Sequence, residues 1–320
     1  MDLIVAADGQ LSANPGGGPY NAVRTIARLG GAGAFLGRVS TDRFGRDLRD
    51  RLEADGVDLS LAVTTDQLTT LAVAELDVAG VATYRFYTEG TTAACLVPGD
   101  VPERLPGSAQ ALHVGTLGLA LEPTASTLAQ LVERAGADLL VFVDPNCRPS
   151  VVADAAAYRT RLLRVIHHAD VVKVSGDDLD YLYPGLGHLV AARQLVAAGP
   201  SVVLFTDGAR SVHIVTDEAD VEVEVPTVRV TDTVGAGDAF GGAFLVAWLG
   251  SGRGKADLGD DPALRVAVEA AVVVAGITCQ RQGADPPRRG DLEPAVQAAF
   301  APATARDPNL DTSSGTARAG

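Results

Sequence analysis

Asp232-Thr233-Val234-Gly235-Ala236-Gly237-Asp238-Ala239-Phe240 joins the end of an extended segment to a long apolar helical pattern through two glycines. Backbone N–H groups at such a turn point the same way, and the helix N-terminus adds partial positive charge. The turn therefore suits a phosphate group, or the charge that grows while one is transferred. Asp238, one residue past the glycines, is placed to accept the proton of an attacking hydroxyl, the acid–base step that phosphoryl transfer needs. The same residues admit a plainer role, with Asp238 as a helix N-cap and Gly235 and Gly237 as a tight turn.

Upstream, short runs rich in Val, Leu and Ile alternate with longer Ala- and Arg-rich segments of helical period. That is the pattern of strands crossing over through helices into a mostly parallel sheet. Strands are expected at 34–36, 111–114, 139–143, 171–174 and 202–206, and helices at 20–29, 43–55, 124–135, 155–168 and 188–198. Beyond the glycine turn, helix is expected from Gly235 to Leu249 and again from Pro262 to about Gln280. The runs 70–77 and 81–87 flank a Val-Ala-Gly turn and predict a β-hairpin lying apart from the main sheet. A second antiparallel pair is expected at 212–216 and 221–225, around an acidic turn. The segment 301–320, rich in Pro, Ala, Ser, Thr and Gly, has little to bury and is read as a disordered tail.

The 320 residues are 47% hydrophobic and 21% charged, enough for one large α/β domain or two smaller ones. A formal charge of −14 opposes nucleic acid or an anionic membrane as the main partner. Lys173 and Lys255 are the only lysines, a bias read as genomic composition. Cys95, Cys147 and Cys279 are widely spaced without a CxxC pair, which fits reduced thiols packed in a core. No apolar run reaches the ~18 to 20 residues of a membrane span, and no charged-then-apolar leader opens the chain, so a soluble cytoplasmic protein is expected. His113, His167, His168, His188 and His213 lack metal-ligand spacing and are read as surface or helix-end residues. Gly252-Arg253-Gly254-Lys255 lacks the spacing and the preceding strand of a phosphate-binding P-loop, and no GxGxxG follows the first strand.

At every defining position the 232–240 stretch resembles the C-terminal signature of the ribokinase-like (PfkB) family of carbohydrate kinases, with bacterial fructokinases the nearest in look. Pro15-Gly16-Gly17-Gly18-Pro19-Tyr20-Asn21 resembles the family's first signature, a Gly-Gly turn leading into a helix. The likeness runs from the first residues to about Pro287. It implies an α/β fold, a three-layer ribokinase-like sandwich with a central mostly parallel sheet and a small β-sheet lid within about 70–92, as one domain over 1–300. It also implies a kinase that uses ATP and Mg²⁺ to phosphorylate a sugar hydroxyl, with fructose to fructose 6-phosphate favoured. Asp238 would be the base, with Gly235, Ala236 and Gly237 around the transferring group.

Asp2, Gly16, Gly17 and Asn21 would hold the sugar, because glycine lets backbone come close and Asn21 offers both a donor and an acceptor. Asp144-Pro145-Asn146-Cys147-Arg148-Pro149 resembles the D-x-N-x-R element of fructokinase-like members, which makes Asn146 and Arg148 phosphate or sugar contacts beyond a strand C-terminus. Lys173-Val174-Ser175-Gly176-Asp177-Asp178 occupies the place of the N-x-x-E motif, with Ser175 for Asn and Asp178 for Glu. Asp is still a hard oxygen ligand, so Asp178 is expected to act on Mg²⁺ through water. Thr206-Asp207-Gly208-Ala209 resembles the nucleotide-binding T-x-G turn, which sets Thr206 and Gly208, with Gly237, beside ATP. Arg281-Gln282-Gly283-Ala284 resembles the closing G-A element that, with the Asp232 loop, forms a K⁺ site. Lid pairing between subunits would give a homodimer.

The chain also departs from the family pattern. Members open on a strand reading roughly G-E-x-x-x-D. Here Asp2 falls on its Asp, so the preceding strand is missing, an unpaired slot is expected in the sheet, and an upstream start codon is the expectation. Asp42 resembles the family's D-x-x-G element and is read as a helix cap. Thr88 stands where fructokinases and 2-keto-3-deoxygluconate kinases often carry Arg, which argues against an acidic sugar. A nucleoside, 2-keto-3-deoxygluconate, or a catalytically weak sugar-binding member are the alternatives, and turnover distinguishes the last of these.

Overall fold

The computed structural model describes residues 1–77 and 82–302. The chain opens with β1 (Asp2–Val5), β2 (Leu11–Asn14), α1 (Gly18–Arg28), β3 (Gly37–Ser40), α2 (Arg43–Ala54), β4 (Ala62–Thr65), β5 (Leu71–Leu76) and β6 (Ala82–Tyr87). It continues through β7 (Ala111–Gly115), α3 (Leu117–Ala120), α4 (Thr124–Glu133), β8 (Leu140–Asp144), α5 (Ala155–His167), β9 (Val171–Ser175), α6 (Gly176–Leu182) and α7 (His188–Ala197). β10 (Val202–Thr206), β11 (Ser211–Val215), β12 (Asp220–Glu224), α8 (Ala236–Gly250), α9 (Asp261–Cys279) and α10 (Pro294–Ala299) complete it.

The main sheet has the order β12-β11-β10-β9-β8-β7. Its strands β7 to β10 are parallel and β11 and β12 antiparallel. Every residue of β8 is buried, as a parallel strand covered on both faces should be. Alternate side chains separate into two cores: Leu140 and Phe142 pack with Phe240, Phe244 and Trp248 of α8, and Val141 and Val143 pack with Leu162 and Ile166 of α5 and Leu195 of α7. Helices thus cover both faces, and the expected three layers are present.

Helix starts follow local chemistry. Asp42 caps α2 by accepting from the Gly45 N–H at 2.7 Å, and Asp260 caps α9 through the Ala263 N–H at 3.1 Å, with Pro262 in its first turn. Among the described residues α9 is long and apolar enough to cross a membrane, contrary to the expectation that no run would be. Leu264, Val268, Ala271 and Val274 instead lie in the core shared with α8.

The expected hairpin is present as β5 and β6, paired antiparallel; its turn, 78–81, lies outside the described residues. β1 joins it in parallel and β2 completes a separate four-stranded sheet of order β2-β1-β5-β6. The strand expected at 34–36 is reduced to a single bridge from Ala34 to Asp58, and regular pairing begins at Gly37, against β4. β7 forms the edge of the main sheet. A groove of about 680 Å³ runs along it, lined by consecutive residues of β7 and by Gly33, Ala34, Phe35 and Leu36. Ala301, assigned to the tail, is buried; the tail from 303 onward lies outside the described residues.

Candidate active site

The C-terminal ends of β7, β8, β9 and β10 lie side by side, the crevice where open parallel sheets bind ligands. Asp238 reaches it from the first turn of α8. Gly235, at φ 78, is the left-handed residue that turns the chain into this helix, and a Cβ there would stand 2.4 Å from the Ala284 Cβ. Only glycine meets both demands. The cap role considered for Asp238 is absent, because α8 has no side-chain cap hydrogen bond.

Asp238 is 9% exposed. Asn21 Nδ2 of α1 donates to its Oδ2 at 2.8 Å. Burial raises the Asp238 pKa, opposed by the Asn21 hydrogen bond and by the positive charges of Lys173 and Arg148. Asn21 is 3% exposed and its Oδ1 has no hydrogen-bond partner among the described residues. A Cβ on Gly18 would meet Thr116 Oγ1 at 2.6 Å and Asp238 Oδ1 at 3.1 Å, so these three residues share one small space. Gly17, at φ 133, starts α1. Gly16 lies against Asp2, whose Oδ2 would be 1.9 Å from an added Cβ. Burial raises the Asp2 pKa, the Met1 ammonium lowers it, and Asp238 and Asp232 push it up again. Asp2, Gly16, Gly17, Asn21, Gly235, Ala236, Gly237 and Asp238 are therefore one constellation, built from both ends of the chain.

Next to it, Asn146 follows β8 at φ 40, and Arg148 Nη1 donates to the Asn146 and Cys147 carbonyl oxygens at 3.2 and 3.0 Å. Asp178 is 2% exposed. Its Oδ2 accepts from Ser175 N at 2.8 Å and Ser175 Oγ at 2.7 Å, and its Oδ1 from Cys147 N at 2.6 Å. Three of about four lone-pair sites are thereby used. Among the described residues no group of three or more His, Cys, Asp or Glu could hold a metal. Thr206 pairs with Ser175 across β9 and β10, and Gly208, at φ 59, lies in the turn that follows. Asp232 Oδ2 accepts from Gly283 N at 2.9 Å and Oδ1 from Val234 N at 3.0 Å, which joins the two loops expected to meet there.

Three further residues line this region. Thr116, with φ 51, is a non-glycine residue in left-handed backbone, the kind of strain that collects at functional sites. No signal in the sequence marks it. Lys173 shows in the sequence as a charge inside the apolar run Val171-Val172-Lys173-Val174, a signal that a compositional reading of the lysines passes over. His113, read as a surface residue, is half-buried in β7 against Phe142, with ring centroids 5.2 Å apart; desolvation, then Lys173, lowers its pKa to about 4.

Residues 3–289 match the pfkB family of carbohydrate kinases. A fructokinase of Rhizobium leguminosarum bv. trifolii is 34% identical over 232 residues, 72% of this chain and 71% of its own. The crystal structure of a fructokinase with bound ATP from Xylella fastidiosa superposes with a TM-score of 0.81 at 28% identity, covering 88% of this chain and 90% of that one. A Vibrio cholerae fructokinase double mutant with fructose, ADP and potassium ion bound gives 0.77 at 26% identity, covering 93% and 95%.

Proposed function

This chain belongs to the pfkB family of carbohydrate kinases, and from that premise we propose that it converts fructose to fructose 6-phosphate. It is an ATP-dependent kinase that phosphorylates a sugar hydroxyl. The observation that carries the reading is the Asn21–Asp238 pair. A carboxylate placed to take a proton stands beside a buried amide oxygen still lacking a donor, and a sugar hydroxyl supplies that donor.

Asp2, Gly16, Gly17 and Asn21 hold the sugar on the side of the small sheet. Ser175, Thr206 and Gly208 serve the nucleotide at the ends of β9 and β10, and Asn146 and Arg148 stand between. Asp238 withdraws the hydroxyl proton as the oxygen attacks, and the amides of Gly235, Ala236 and Gly237 stabilise the charge on the moving phosphoryl group. The donor is Mg·ATP; Mg²⁺ would neutralise phosphate charge, and Asp178 would hold it through a water. Asp232 would hold K⁺ through the lone pairs its two backbone contacts leave, adding positive charge beneath the Gly235 turn. The small sheet exposes Leu11 and Tyr87 on the face opposite Asp2, the face through which two copies would form the homodimer.

The test is ADP release from Mg·ATP, with and without K⁺, across fructose, ribose, 2-keto-3-deoxygluconate and adenosine, beside Asp238→Asn. Turnover on fructose that falls at least ~100-fold in the variant supports the reading. Saturable sugar binding without ADP formation would overturn it.

A further inference from the structure

Lys173 stands in the middle of β9, buried at 6% exposure, with Nζ 3.3 and 3.1 Å from the two carboxylate oxygens of Asp144 on β8. A Cβ built on Gly237 would lie 2.8 Å from that Nζ, so the ammonium rests directly against the backbone of the glycine turn. We propose that Lys173 is a positioning residue: clamped by Asp144 beneath the 235–237 turn, it acts through Asp238 to keep that carboxylate ready to take the sugar proton. This rests on the reading of Asp238 as the base.

The charge pattern supports it. Burial would lower the Lys173 pKa, but the carboxylates of Asp144, Asp178 and Asp238 outweigh this, so it stays an ammonium. Asp144 is pushed up to about 6 by burial, partly offset by Lys173. The groups facing Asp238 are Asn21 from α1, Lys173 from β9, Arg148 after β8, Asp144 from β8 and Asp2 from β1. His113 of β7 faces Lys173 and is neutral at pH 7. Lys173 and Arg148 are the cations of this set; Arg148 is held by backbone carbonyls of its own loop, and Lys173 is the one held by a carboxylate of the neighbouring strand. Removing it raises the pKa of the base, which then stays protonated to a higher pH.

The experiment compares kcat/KM for fructose against pH in the wild type, Lys173→Met, the charge-neutral pair Lys173→Met/Asp144→Asn, and Asp238→Asn. The acid limb should move up by about one pH unit in Lys173→Met and by less in the double variant, because losing the Asp144 charge offsets part of the shift, with kcat falling and the sugar KM within about twofold. The double variant leaves no unpaired buried charge, so it decides if the single one fails to fold. An acid limb unmoved in a folded, active double variant overturns the proposal, and so does failure of both to fold, which makes the pair scaffolding alone. If Asp238→Asn retains full turnover, the base assignment itself is wrong. If it is inactive while the acid limb stays put, only the role of Lys173 falls.

Discussion

Asn21 Nδ2 lies 2.8 Å from Asp238 Oδ2, a hydrogen bond spanning 217 positions of the chain. It ties the first helix to the eighth and stabilises the ionised form of a carboxylate that burial would otherwise protonate. Replacing Asn21 with Ala removes a donor to the charged form, so the Asp238 pKa rises further and the acid limb of kcat/KM moves to higher pH. The sugar KM should rise as well, because the unpartnered Oδ1 goes with it. A pH–rate series on the variant checks both.

Gly235→Ala places a Cβ 2.4 Å from the Ala284 Cβ at a backbone φ of 78. The strain should cost about 1 to 3 kcal/mol in urea unfolding. It should also lower kcat, because the turn that presents the 235–237 amides must shift.

Asp42 accepts from Gly45 N, Thr69 N and Thr69 Oγ1, each at 2.7 Å. Asp42→Ala should destabilise by about 0.5 to 2 kcal/mol with kcat unchanged once the protein is folded. A selective loss of kcat would place Asp42 in the site instead.

Asp55, at the end of α2, receives Arg24 Nε at 2.8 Å, Arg28 Nε at 2.9 Å and Arg288 Nη2 at 2.7 Å. Burial would raise its pKa, but the Arg28 and Arg24 hydrogen bonds and charges outweigh it, so the pKa lies below the usual carboxylate value. A depressed pKa contributes stability that is present above the unfolded value of about 3.9 and is lost as pH falls through the folded one. Asp55→Asn should therefore cost about 3 to 5 kcal/mol at pH 7 and flatten the acid limb of thermal stability below about pH 4.

The helices at 43–55 and 188–198 were legible to within a residue or two, because caps and the 3.6-residue period act over one or two turns. The strand at 34–36 was not. Its residues are as apolar as those of β7, but a strand exists only where a second backbone pairs with it, and β4 meets the chain at Gly37 instead. His113 was misplaced for a related reason: alternation along β7 does not say that Phe142 of the neighbouring strand will cover the ring.

The sequence alone determined the glycine turn, the helix that follows it and the place of Asp238 on its first turn, since backbone freedom at Gly235 and helical period are local properties. Only the tertiary structure decided what surrounds Asp238. Asn21, Lys173 and Arg148 come from three distant segments, and the desolvation that makes their opposing contributions large exists only once both helical layers have closed over the sheet.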